Sequence, residues 1–375
     1  MTGKRLNIGI IGTGNISSAY LKAILGKDGL PGFPMLDIKA LSDMRPDAAV
    51  ARAAEFGLKA QGIEAMLADP DIDLVINLTI PRAHVEVGLK CLAAGKHVYS
   101  EKPLGINVAE GRQLLDAANA AGLRVGSAPD TFLGGAHQQA RAIIDSGALG
   151  PIVGGTAFFQ CPGHESWHPD PAFYYDLGGG PMLDMGPYYI TDLVNLLGPV
   201  ARVSAMSSRL RQERAITSEP KKGQTMQVSI DTHVTGSLGF ANGAIVQIGM
   251  SFDVPAHKHV PLEIYGTEQS LIVPDPNFFG GEIEMRRRGR DEEWVGVKVE
   301  APYASGNYRS LGVADMALAI LEDRPHRASG ALALHVLEVM EAFEQAARES
   351  RTIDITSIVE RPAPLAESIR NGVLA

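Results

Sequence analysis

Three stretches of the chain carry residue types whose spacing suits chemistry. The first is Gly12-Thr13-Gly14-Asn15-Ile16-Ser17, set between a short apolar run and an amphipathic helical pattern. Gly12 permits a tight turn, Gly14 lets the backbone approach a pyrophosphate, and Ser17 is small enough for helix to pack on strand. The second is Glu101-Lys102-Pro103. Proline restricts the residue before it to extended backbone, so Lys102 is aimed rather than free to swing, and a cis Lys102–Pro103 bond is one way to build that corner. The third is Asp184, Tyr188 and Asp192, four apart, a polar stripe among leucines and methionines if the helix is continuous. A lysine ammonium favours a neighbouring phenolate, so a Tyr188–Lys102 pair can move a proton. Each stretch also has a plainer reading: a common strand-to-helix glycine turn, a surface lysine at Lys102, and a helix-start acid and an aromatic packed between domains at Asp184 and Tyr188.

These residues need elements to position them. Leu6 to Ile11 and Met35 to Leu41 read as strands, with Asp43 at the tip of the second. In a dinucleotide fold a carboxylate there meets the adenine ribose hydroxyls and repels a 2′-phosphate, which favours NAD, although Arg45 leaves NADP open. Asp43 also suits the start of a helix at PDAAVARAA. Strand and helix patterns then alternate: Asp73 to Ile80, AHVEVGLKCLAAG, KHVYS, NVAEGRQLLDAANAAG and LRVGSA. That alternation predicts a parallel α/β sheet of Rossmann type over residues 1–128. Ligands of such sheets bind at the strands' carboxyl ends, where Gly12 to Ser17, Thr79 with His84, and Glu101-Lys102 all fall.

Residues 129–375 change character. Ala136 to Ile144 reads as a joining helix. Paired β patterns follow, one around Asn242-Gly243, one in VPLEIYGTEQSLIV and one in EIEMRRRGRDEEWVGVKV, before two amphipathic helices. The expectation is an α+β domain with a large, mostly antiparallel open sheet, its last helices packing back toward the first domain. Pro187 suggests a helix that starts late and leaves Asp184 in its entry turn. Trp167 and His168, in a proline-rich loop, suit the apolar face and hydroxyl edges of a sugar, and Asp130 is placed to face the same cleft.

Composition narrows the class. Lys+Arg 34 against Asp+Glu 43 gives a net charge of -9, which argues against a nucleic-acid partner. The two cysteines, Cys91 and Cys161, form no metal-ligand or disulfide pattern. The expectations are no metal, reduced thiols, no membrane span and a cytoplasmic location. Arg286-Arg287-Arg288 with Arg290 reads as a solvated hairpin or an oligomer contact, because Asp291-Glu292-Glu293 follows it.

Taken together, GIIGTGNIS, TIPRAH, AAGKHVYSEKP and GGGPMLDMGPYYITD resemble the Gfo/Idh/MocA family of nicotinamide-dependent oxidoreductases, in the family's order and across essentially the whole chain. The resemblance implies that Lys102 reaches the substrate hydroxyl and the nicotinamide ribose. It also implies a homodimer or homotetramer built through the open sheet. Members typically carry a histidine four residues after the aspartate that Asp184 matches; here that position is Tyr188. The expected activity is NAD-dependent hydride transfer to or from a sugar, sugar derivative or cyclitol. Lys102, Asp184 and Tyr188 are the expected catalytic residues. Gly12, Gly14, Asn15, Ile16, Asp43, Thr79, His84, Glu101 and Lys102 are expected at the cofactor, and Trp167, His168, Asp130 and Asp192 at the substrate. Redox-assisted glycoside cleavage with tightly held NAD, and NAD sensing without turnover, are the alternatives.

Overall fold

The computed structural model describes residues 5–365. Its first half alternates β1 (Leu6–Ile11), α1 (Asn15–Leu25), β2 (Leu36–Ser42), α2 (Pro46–Phe56), α3 (Ile63–Ala68), β3 (Leu74–Asn77), α4 (His84–Ala93), β4 (His97–Ser100), α5 (Val108–Ala121) and β5 (Val125–Ser127). The strands pair in parallel in the order β2-β1-β3-β4-β5. Strands such as LNIGII and LVIN are buried almost throughout, as a sheet covered on both faces requires. Local chemistry sets the helix ends. Asn107 caps α5 by accepting from the Glu110 amide at 2.9 Å, and Glu110 reaches back to the Ile106 amide at 3.2 Å. β3 stops at Asn77, three residues before the expected Ile80, because the chain turns out of the sheet there and Thr79 goes to line a cleft.

The second half begins with α6 (Gly135–Asp145), β6 (Ile152–Gln160), α7 (Pro181–Leu197), β7 (Val200–Ser208), β8 (Glu213–Ala215) and β9 (Thr225–Gln227). It continues with β10 (His233–Phe240), β11 (Ile245–Ser251), β12 (Leu262–Gly266), β13 (Gln269–Val273), β14 (Ile283–Arg287) and β15 (Val295–Val297). α8 (Leu311–Leu321), α9 (Gly330–Glu349) and β16 (Ile353–Asp354) close it. Nine strands make one sheet, ordered β15-β14-β13-β12-β6-β11-β10-β7-β16. Every pairing in it is antiparallel except β6 with β11. The three expected hairpins form, and Gly243 (φ +92°) makes the turn between β10 and β11. The arginine run lies in the exposed β14–β15 hairpin.

α7 and α9 cover one face of this sheet, and α8 and α9 also pack on β5, so the last helices join the two halves. α7 corrects one expectation. It starts at Pro181, so Asp184 lies in its first turn, and Pro187 is accommodated inside it at the loss of one backbone donor. A satellite core of Tyr175, Ile216, Met226, Val228 and Phe252 sits beneath the small β8–β9 sheet.

Candidate active site

The carboxyl ends of the first sheet and the N-terminal turn of α7 face one another across a cleft of about 770 Å³. The sheet supplies Ile16, Thr79, Glu101 and Lys102; the opposite wall supplies His164, Trp167, Phe173, Tyr174, Asp184 and Tyr188.

At the first-sheet end the cradle is made mostly of backbone. Gly12 has φ +102°, and a Cβ there would meet the Leu78 carbonyl oxygen at 2.5 Å. Gly14 differs: a Cβ there would meet nothing within 4 Å and would stand in open space before the N-terminus of α1. No side chain caps that helix, which leaves its first amides for an anion. Asp43 steadies the turn. It accepts from the Thr13 amide and hydroxyl at 2.8 and 2.9 Å and from the Arg45 amide at 2.9 Å. Burial pushes its carboxyl up, but these hydrogen bonds win and hold it below its ordinary value.

Lys102 stands on a braced corner. The Glu101 amide bonds the Asn77 carbonyl at 2.9 Å, and Glu101 accepts from the Tyr20 hydroxyl at 2.8 Å. The Lys102–Pro103 bond is cis. His84 is fully buried; its ring bridges the Pro103 carbonyl at 2.7 Å and the Thr79 carbonyl at 3.0 Å. It therefore ties two loops together from behind rather than bordering the cleft, which corrects its expected place at the cofactor.

Lys102 Nζ donates to Asp184 Oδ1 at 2.9 Å and to the Asp184 carbonyl at 2.6 Å, and it lies 5.0 Å from the centre of the Tyr188 ring. Burial opposes the ammonium, but the Asp184 carboxylate outweighs it and holds Lys102 above its ordinary range. Burial likewise opposes the Asp184 charge, and Lys102 and His164 overcome it, bringing Asp184 down to about 2. The pair is thus ionised across the physiological range.

The stripe expected on α7 divides. Asp184 and Tyr188 line the cleft, whereas Asp192, one turn further, is fully buried between His137 Nδ1 at 2.8 Å and Asn195 at 3.2 Å. Asp130 is also inside, accepting from the Ser310 and Gly312 amides at 3.0 and 2.9 Å, and burial pushes it up to about 6. Both acids satisfy donors in the scaffold and do not face the cleft. Trp167 borders the cleft with 60% of its surface exposed. His168 does not: its ring accepts from the Asp170 amide at 3.1 Å, outside the cleft wall.

Among the cleft residues that escaped the sequence reading, two stand beside the Lys102–Asp184–Tyr188 group. His164 is buried, with Nε2 3.5 Å from Asp184 Oδ2 and its ring packed 4.1 Å from Tyr174 and 4.5 Å from Phe252, centre to centre. Arg309 comes from the loop before α8 and borders the cleft beside Tyr188, braced by Asn277 and Asn307 at 3.0 Å each. Neither has a local signal; GHESWHPDP offers two histidines, and only the fold selects the first. Arg214 holds the loop from behind. Its side chain is 1% exposed, pairs with Glu165 and Asp253, and donates to the Pro162 and Phe252 carbonyls at 3.0 and 2.8 Å.

Comparison with known proteins agrees with this layout. Residues 6–128 match the model of an oxidoreductase family with an NAD-binding Rossmann fold, and residues 137–272 match that of a GFO/IDH/MocA C-terminal domain. The dTDP-3,4-didehydro-2,6-dideoxy-alpha-D-glucose 3-reductase of Streptomyces violaceoruber is 32% identical over 290 residues, spanning 72% of this chain and 81% of that protein. The levoglucosan dehydrogenase of Pseudarthrobacter phenanthrenivorans is 26% identical over 293 residues, spanning 72% of this chain and 73% of that one. A solved levoglucosan dehydrogenase in complex with NADH and L-sorbose shares the fold, with a TM-score of 0.80 at 22% identity over 95% of this chain and 100% of that one. Among the described residues, no helix is long and apolar enough to cross a membrane.

Proposed function

The chain belongs to the GFO/IDH/MocA family of oxidoreductases with an NAD-binding Rossmann fold, and on that premise we propose that it exchanges hydride between nicotinamide and a hydroxyl-bearing carbon of a sugar, sugar derivative or cyclitol. The observation that carries this reading is the Lys102–Asp184 pair, buried in the scaffold yet 16% and 20% exposed at the side chains, toward the cleft.

The first-sheet end fits NAD. Gly14 leaves the room that a side chain would take, the α1 amides are uncapped, and Asp43 is ionised at the tip of β2. Gly12, Gly14, Asn15 and Ile16 would hold the pyrophosphate, Asp43 the adenine ribose, and Thr79, Glu101 and Lys102 the nicotinamide end. Bound there, NAD supplies the hydride acceptor and NADH the donor.

The remaining chemistry belongs to the protein. Lys102 is held as an ammonium, so it donates a hydrogen bond to the reacting oxygen and stabilises negative charge developing there in either direction. In the reducing direction it also delivers the proton to that oxygen. Asp184, held down to about 2, is the fixed counter-charge that keeps Lys102 loaded and aimed. Tyr188 lies under the ammonium and beside Arg309, placed to exchange a proton with the substrate hydroxyl. Trp167 and Phe173 line the cleft with apolar surface suited to a sugar face. The same reading includes assembly into a homodimer or homotetramer through the second sheet, supported by the exposed Val153, Met206 and Ile245 on its strands. It also includes a cytoplasmic location, supported by two unpaired cysteines.

The test is absorbance of reduced nicotinamide with NAD or NADP and a panel containing levoglucosan, aldoses and inositols. Lys102→Ala is run beside the unmodified protein. We expect sugar-dependent reduction of NAD that falls by about a thousand-fold in the variant, the scale of a lost acid–base group. Absence of reduction with every sugar, despite NAD binding, would remove the dehydrogenase reading.

A further inference from the structure

The geometry points to His164 as the imidazole of this site: we propose that its Nε2–H donates to Asp184 Oδ2 and holds that carboxylate on Lys102. The inference rests on the oxidoreductase reading of the cleft. Two observations carry it. Lys102 takes only one side of the Asp184 carboxylate, Oδ1, and leaves Oδ2 facing Nε2 at 3.5 Å. Both ring nitrogens of His164 are buried without a hydrogen-bond partner, a state that costs free energy and that a contact with Asp184 relieves at Nε2.

At 3.5 Å the pair is a few tenths of an ångström longer than a made N–H···O bond, and catalytic hydrogen bonds commonly tighten only when ligand closes the cleft. The imidazole cannot retreat. Its backbone amide donates to the Tyr175 hydroxyl at 3.0 Å, and Tyr175 stacks against the Arg214 guanidinium 4.8 Å away. Tyr174, Trp167 and Phe252 close the ring's other sides. The charged and titratable groups around it are Asp184 with Lys102 across the cleft, His168 and Tyr174 on its own loop, and Glu165 and Arg214 paired behind it. Asp184 Oδ2 is the carboxylate oxygen at its edge. His164 is therefore a positioning residue: it acts on the reaction by fixing Asp184, and through Asp184 the charge and aim of Lys102. The imidazole comes from the loop after β6, and the carboxylate it fixes comes from the first turn of α7.

Two arms test this. The unliganded protein, labelled with ¹⁵N-histidine, has ten histidines, and His164→Gln identifies the signals of His164. We expect a proton on Nε2 and a clear shift of both ring nitrogens in Asp184→Asn. Kinetics form the second arm, using the sugar that the unmodified enzyme oxidises fastest. His164→Phe keeps the ring but loses the donor, and should lower kcat about ten- to a hundred-fold, the range for a hydrogen bond to a charged group, with NADH affinity unchanged. His164→Gln keeps a donor near Nε2 and should stay within a few-fold. Ring signals that ignore Asp184→Asn, or a Phe variant that outperforms Gln, would overturn the proposal in favour of simple packing. If no sugar is turned over at all, the oxidoreductase reading fails while the nuclear resonance arm still decides the His164–Asp184 contact.

Discussion

The two walls of the cleft are built from different materials. The cofactor wall is a run of backbone: a glycine turn, an uncapped helix end and carboxyl strand tips, with Asp43 as its tie. The opposite wall is a constellation of side chains. His164, Trp167 and Tyr174 ride on a loop, Asp184 and Tyr188 on a helix, and Arg309 on a segment more than a hundred residues later. A backbone wall depends on φ, ψ and local sterics, which neighbouring residues dictate. A side-chain wall depends on what clamps it, and here the clamp is Arg214 with Glu165 and Asp253. Substitutions should therefore damage the walls in different ways.

The largest effect should come from breaking the clamp. Arg214→Met leaves Glu165 and Asp253 without their shared cation, and we expect a loss of about 3–5 kcal/mol, read by denaturant unfolding. NAD affinity of the surviving folded protein should change little; a collapse of NAD binding with stability intact would erase the distinction between the walls.

Asp130 tests the seam between the halves, since it joins the chain after β5 to the start of α8. Its folded carboxyl is raised to about 6 from 3.8, so its contribution is greatest below pH 3.8 and is lost as pH rises toward 6. Asp130→Asn keeps an acceptor for both amides and escapes that titration. Across pH 4 to 7 it should therefore gain about 2 kcal/mol relative to the unmodified protein. A flat difference would mean that Asp130 is ionised without cost in the fold.

The smallest effect sharpens the cofactor wall. Gly14→Ala meets no neighbour and keeps an allowed φ of -65°, so the melting temperature should hold. The new methyl stands where the pyrophosphate belongs, and calorimetry should find NAD binding weakened about ten-fold, roughly 1.4 kcal/mol. Equal loss of stability would mean that the cradle is a packing surface.

The same contrast explains what the sequence makes legible. The parallel sheet, the three hairpins and the glycine turn rest on periodicity and turn chemistry within a dozen residues, and the family model matches follow them. Lys102 and Asp184 meet in the structure at the end of β4 and in the first turn of α7, and Tyr188 joins them one turn further along the same helix. Asp130 and Asp192 show the limit: an acid in a turn or stripe looks equally fit for a cleft or for a buried amide, and only packing decides. His164 and His168 stand four apart in one loop, and the choice between them is made by Asp184 and Phe252, elements that the loop's own sequence does not contain. Arg309 has no local mark either, since Tyr188, its partner, lies on another element.

The lone parallel pairing, β6 with β11, has a kinetic consequence. Antiparallel neighbours can zip from a short turn, but β6 must wait for a strand that begins 85 residues after β6 ends, at Ile245 against Gln160. The segment between them, which carries His164, Glu165, Asp184, Tyr188 and Arg214, lies inside that crossover. The centre of the sheet thus closes a long loop around most of the catalytic wall, and the ordering entropy of that wall falls due at a late, slow step of folding. A nick or a long insertion in this crossover should show first as a lag in regaining the native sheet and only afterwards as a loss of equilibrium stability.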